Sequence, residues 1–213
     1  MPLPLSLRNT LAELILDALH DSEARAALAA LCAVCDDPRA LAAAPPPARF
    51  PVDLFEARDD GLAAKDAAHG GEMCARARRG WAVVRERPLD PPHAPLPVAL
   101  SAAAALFDGG LYFETHEQLE PHWMRAHGEA RDAIQGLIQV AVGFQHLANG
   151  NPGGARALLG EGAAKLAGRR LAGRDLDAFA RETRGCHDKV MALGDQASAR
   201  FSWTQVPRFP AVA

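Results

Sequence analysis

The sequence predicts an all-α fold, with a helical array or bundle of about five helices in the C-terminal half and a helical N-terminal extension before it. Three observations point there. Apolar residues recur at helical spacing wherever the chain is free of proline clusters. No β-rich alternating run occurs anywhere in the 213 residues. The breaks between periodic stretches carry helix-end chemistry, as Gly-Gly, Gly or Asn-Pro.

Taken in order, Leu7, Leu11, Leu14, Ala18 and Leu19 form one helical stripe, and Asp21 or Ser22 can cap a second helix, so the chain opens as a helical hairpin. A proline-rich break around Pro45 to Pro51 follows, then a stripe of Met73, Cys74, Ala77, Trp81 and Val84 after Gly70-Gly71. A second proline-rich stretch, RPLDPPHAPLP, divides the chain into a helical region 1–90, a linker 91–97, an all-α domain 98–194 and a tail 195–213. Within that domain, a short helix from Val98 to Phe107 should end at Gly109-Gly110, and a second should run from about Leu111 to Ala126. The segment EARDAIQGLIQVAVGFQHLA forms a third and stops at Gly150. Asn151 followed by Pro152 restarts the helix with a capping residue and a proline at the first helical position, and that helix runs to about Arg170. A last helix opens near Asp175 and ends at Gly194.

Composition excludes several classes. Apolar residues at 49% and charged residues at 23% describe a globule rather than a disordered chain. A net charge of -3 argues against a nucleic-acid partner, and the one basic run, Arg76, Arg78, Arg79, Arg85 and Arg87, reads as a solvated helix face. With no signal-peptide pattern and no membrane-span-length apolar stretch, the expected location is cytoplasmic, with no membrane contact. There Cys32, Cys35, Cys74 and Cys186 are expected to stay as thiols. Cys32 and Cys35 form a C-x-x-C at the C-terminal end of a helix, where the dipole opposes a thiolate, so they read as packing residues.

The chemistry-bearing residues concentrate in YFETHEQLEPHW and in the helix after it. At about 100° per residue, Tyr112, Phe113, His116, Leu119, Glu120 and Trp123 share one face, which should turn His116 and Glu120 inward. Glu114 falls on the opposite side, Glu117 lies on the flank, and Pro121 should kink the helix beside Glu120. The next helix is apolar almost all round, except for Arg131, Gln135 and Gln139 at i, i+4 and i+8, with His146 seven residues further on the same stripe. Buried polar groups need partners, and the preceding helix offers His116, Glu117 and Glu120. Arg131 should pair with a carboxylate and the glutamines bridge to histidine or backbone, fixing helix register. The competing reading is a metal site with His116, Glu120 and His146 as ligands, Glu117 as general base, and an open position for water. His122, His127, His20, His69, His93 and His187 read as surface residues.

FDGGLYFETHEQLEPHW and RDAIQGLIQVAVGFQHLANGNPGGA, spanning Leu106 to Leu171, resemble domain of unknown function family 309, a bacterial and archaeal helical family. Phe107, Gly110, Tyr112, Phe113, Glu114, His116, Glu117, Leu119, Glu120 and Trp123 fit its first motif. Arg131, Gln135, Gly136, Leu137, Ile138 and Gln139 fit the second, and His146, Gly150, Asn151, Gly154 and Ala155 the third. The tandem Gly109-Gly110, the Ala133-Ile134 pair and everything before Pro97 depart from the family pattern. The resemblance implies a small all-α fold and, for some members, a predicted metal-dependent hydrolase. Two functions therefore compete. One is a packing or small-ligand module built on Tyr112, Glu114, His116, Glu120, Trp123, Arg131, Gln135, Gln139 and Asn151, open to homo-oligomerisation. The other is a hydrolase using a divalent metal, zinc being the first candidate.

Overall fold

A computed structural model describes residues 2–43 and 45–212 and divides the chain into two compact units, Met1–Ala94 and Pro95–Ala213. The fold is predominantly all-α.

In the first unit, α1 (Leu5–Asp17) and α2 (Ser22–Asp36) form the expected hairpin, with Asp21 capping α2 by accepting from the Glu23 amide at 2.8 Å. Their stripe of Leu7, Leu11, Leu14, Ala18 and Leu19 is buried. α3 (Gly70–Val84) packs on both helices. Between α2 and α3 lies a hairpin of β1 (Phe55–Arg58) and β2 (Gly61–Ala64) that the sequence did not announce. Strands of four residues are too short to display an alternating pattern.

Two expectations about this unit are corrected. Arg76 is buried rather than part of a solvated face, while Arg78, Arg79, Arg85 and Arg87 each meet a carboxylate, on Asp36, Glu72, Glu86 and Asp90. Cys35 and Cys74 are not thiols but a disulfide that staples α2 to α3. Their Cα atoms are 5.6 Å apart because the two helices pack together, a neighbourhood that residues 39 positions apart do not reveal in sequence.

The second unit is an up-and-down succession in which each helix packs on the next: α4 (Leu96–Asp108), α5 (Tyr112–Arg125), α6 (Gly128–Ala148), α7 (Pro152–Leu166) and α8 (Asp177–Leu193). Gly110, at φ +72°, makes the turn after α4 that an L side chain would strain. Asn151 caps α7, its Oδ1 accepting from the Gly154 amide at 2.9 Å. α6 and α7 approach closely, because Gly136 and Gly143 of α6 face Leu166 and Leu159 of α7, and Gly162 of α7 faces the α6 backbone. α7 stops at Leu166, short of the expected Arg170, and the chain turns through Gly168 (φ +68°) into a second small hairpin of β3 (Arg170–Leu171) and β4 (Arg174–Asp175).

The segment 195–213, read in sequence as a tail, contributes to the core. A short helix α9 (Ala197–Arg200) leads to Phe201, and both Phe201 and Phe209 are buried. Phe107 sits at the centre of an aromatic cluster, with ring centroids 5.2 Å from Tyr112, 5.9 Å from Phe144, 5.6 Å from Phe179 and 5.7 Å from Phe209. Truncating such a buried ring typically costs about 3–5 kcal/mol. No helix among the described residues is long and apolar enough to cross a membrane.

Candidate metal centre

The orientation of α5 decides what the site can be. Tyr112, Glu114, Thr115 and Leu119 are buried, with Glu114, Thr115 and Leu119 fully so. The expected inward face is thus rotated: Glu114 turns into the core rather than away from it. Thr115 is satisfied by donating its hydroxyl to the Leu111 carbonyl at 2.9 Å. His116 and Glu120 do not point inward but sit half-buried on the flank with Glu117, their side chains 25%, 41% and 35% exposed respectively. Pro121 is exposed, and the helix runs through it to Arg125 without a break. Placing the missing N–H on the solvent side keeps its cost low.

On that flank His116, Glu117 and Glu120 converge. His116 Nδ1 lies 3.3 Å from Glu117 Oε1, and Nε2 lies 4.0 Å from Glu120 Oε1. One ligand atom from each residue falls within 4.8 Å of the others. The Phe113 ring packs edge-on to the His116 imidazole, with centroids 6.2 Å apart. A zinc ion bound at roughly 2.0–2.2 Å sets its ligands about 3.5 Å apart, a contraction that half-exposed glutamate side chains can supply by changing rotamer. One nitrogen and two carboxylate oxygens therefore fit a divalent cation approached from one side, with the remaining positions open.

The other predicted site residues are brought together in smaller groups elsewhere. Arg131 does not pair with a carboxylate. It donates to the Trp123 carbonyl at 2.9 Å and lies over the Trp123 ring at 4.2 Å, where a cation meets the negative end of α5. Gln139 faces α7, donating to Glu161 Oε2 at 2.7 Å, rather than bridging to a histidine. His146 does not join the His116 cluster; its Nδ1 lies 3.2 Å from Asn151 Nδ2 at the α6–α7 corner. There Asn151 both caps α7 and holds the imidazole, and Gly154 leaves room for the pair. Gln135 is partly buried on α6. Tyr112 lies in the aromatic cluster and lines an open cavity of about 350 Å³ with Asp108, Trp203 and Arg208.

Two partnerships escaped the sequence reading. Glu161 carries no signal beyond a charge on a helix, so its bond to Gln139 becomes visible only when α6 and α7 dock. His69, read as a lone surface histidine, lies 2.8 Å from Asp66, a pairing that its i−3 spacing could have suggested. At the end of α5, His122 is held below its usual range, first by burial and then by the nearby Arg125.

A half-exposed His-Glu-Glu constellation on one helix of an antiparallel all-α domain defines the class of site. Comparison adds a likeness over part of the chain: residues 100–158 match the model described as "Domain of unknown function (DUF309)", so the expected resemblance holds over that stretch. It contains every residue of the constellation, and also Arg131, Gln139, His146 and Asn151. No curated protein and no solved structure matches the chain significantly.

Proposed function

We propose that the second unit is a divalent-cation-binding helical domain, with His116, Glu117 and Glu120 as the ligand set and metal-dependent hydrolysis as the activity. The observation that carries the reading is the approach of the three donor atoms to within 4.8 Å on an accessible helix flank. When bound, the ion would supply Lewis acidity and lower the pKa of a water beside it. The chain does the rest. His116, packed beside Phe113, presents one ring nitrogen. Either glutamate, when its second oxygen is free, can accept a proton from water. The solvent side of the flank leaves a substrate oxygen room to approach. Zinc remains the first candidate, because a mixed nitrogen–oxygen set suits it better than it suits magnesium.

A packing module without chemistry is the second reading. Its support is that Arg131, Gln139 and the His146–Asn151 pair each tie one helix to the next. The two readings divide the residues between them, since none of those four belongs to the cation cluster.

The full chain, purified without a histidine tag and stripped of metal, tests the proposal by calorimetric titration with zinc and manganese. Stoichiometric binding that survives in His146→Ala but is lost in His116→Ala and in Glu117→Gln/Glu120→Gln is the expected result. Absence of binding at millimolar metal overturns the site. Binding without turnover of ester, amide or phosphoester substrates overturns the hydrolase and leaves the cation site.

A further inference from the structure

The first unit carries a separate feature that the cation site does not use. The Cys35–Cys74 disulfide is half-buried, and both residues line an open cavity of about 230 Å³ beside the β1–β2 hairpin, with Arg58 and Asp60 also on its wall. Structural disulfides usually lie where no thiol can reach them. This one faces an open space through which a thiolate can reach the sulfurs, with Arg58 and Asp60 close by. The two remaining cysteines differ sharply. Cys32 is one helical turn before Cys35 on α2, and Cys186 is on α8. Both are buried free thiols, each pushed up to about 11 by burial. At neutral pH they are almost wholly protonated and poor nucleophiles.

We propose that Cys35–Cys74 is a thiol–disulfide exchange site, opened through this cavity by a low-molecular-weight thiol while Cys32 and Cys186 take no part. In the first step a thiolate, RS⁻, bonds to one sulfur of the pair. The Cys35–Cys74 bond breaks and the other cysteine leaves as a thiolate, which takes a proton from solvent. A second RS⁻ attacks the external sulfur of the mixed disulfide. It releases RSSR and the second cysteine, so two RSH are oxidised as one protein disulfide is reduced. Arg78 donates to the Cys35 carbonyl at 3.1 Å and is paired with Asp36 at 2.7 Å, so the α2 end of the bond gains no net positive charge. With the α2 dipole opposing a thiolate there, Cys74, near the start of α3, is the better leaving group and Cys35 the sulfur attacked.

The test uses the native full chain and reduced glutathione as the probe. Without reductant, intact mass should show one disulfide per chain. After incubation with millimolar glutathione and no denaturant, alkylation and peptide mapping should find Cys35 and Cys74 modified at least about 10-fold faster than Cys32 or Cys186, whose thiols burial keeps protonated. In Cys74→Ser, oxidised glutathione should leave an adduct on Cys35 that excess thiol removes. Four free thiols before reduction would overturn the proposal, as would opening only at denaturant concentrations that unfold the chain. So would labelling of Cys32 at the rate of Cys35 and Cys74, because that is unfolding rather than exchange. The wild-type measurements stand even if the serine variant fails to fold.

Discussion

Substitution of Gly162 by alanine should separate α6 from α7, and its cost can be worked from the geometry. A methyl group built on Gly162 would lie 2.8 Å from Val140 Cγ2, 2.9 Å from the Gly136 carbonyl oxygen and 3.0 Å from the Val140 amide nitrogen. Two of those three atoms belong to the α6 backbone and cannot rotate aside, so the helices themselves must move. Overpacking of this kind costs about 1–3 kcal/mol. Against it stands the gain of about 1 kcal/mol from replacing glycine by alanine inside a helix. The net expectation is a loss of about 0–2 kcal/mol. Gly185 of α8 supplies the control, because nothing lies within 4 Å of its virtual methyl group. There only the propensity gain remains, and Gly185→Ala should stabilise by about 0.5–1 kcal/mol. Urea denaturation followed by tryptophan fluorescence in a Trp81→Phe background, which leaves Trp123 and Trp203 of the second unit, measures both variants on one scale. A Gly162→Ala protein stabilised as much as Gly185→Ala would refute the claim that backbone approach limits this helix pair.

Three further outcomes follow from single contacts. Asn151→Ala removes the α7 cap and the His146 partner together and should cost about 1 kcal/mol in the same denaturation experiment, with Asn151→Asp recovering the cap but not the histidine contact. Arg131→Met keeps much of the stacking bulk over Trp123 but loses the bonds to the end of α5, so a loss of about 1–2 kcal/mol is expected, and Arg131→Lys should not restore it fully. Asp21 has its pKa lowered from 3.8, first by its hydrogen bond to Arg49 and then by that from the Glu23 amide, so its contribution is complete above 3.8 and is lost as pH falls through the lower folded value. Thermal melts from about pH 5 to about pH 2, which brackets the ordinary carboxylate range, should show a shallower acid loss in Asp21→Asn than in the wild type.

Helix ends were the most legible part of this chain, because their chemistry is local. Asp21, Gly109-Gly110 and Asn151-Pro152 mark boundaries through caps and turns that need no distant partner. The face of α5 was harder. Its inward side includes Glu114 and Thr115, so a reading that places apolar residues inside rotates the helix and buries His116 and Glu120 instead. His116, Glu117 and Glu120 could be singled out in advance as neighbours on one helix, but the sequence pointed to His146 as the third ligand and to Glu117 as the base. Their exposure could not be foreseen. Contacts made between helices, such as Gln139 with Glu161 and Cys35 with Cys74, depend on docking and register that composition does not encode. The second hairpin likewise rests on left-handed backbone at Ala172 and Gly173, and only the glycine hints at it.

The placement of Phe209 against Phe107, with its amide donating to Asp108 across 101 residues, bears on how the second unit is made. A ribosome delivers α4 long before the ring that closes the cluster around it, so the nascent helices must wait with an incomplete interior. Loop closure over that distance is slow compared with the pairing of adjacent helices. Completion of the aromatic cluster should therefore come after the adjacent helices have paired, with the return of this distant segment.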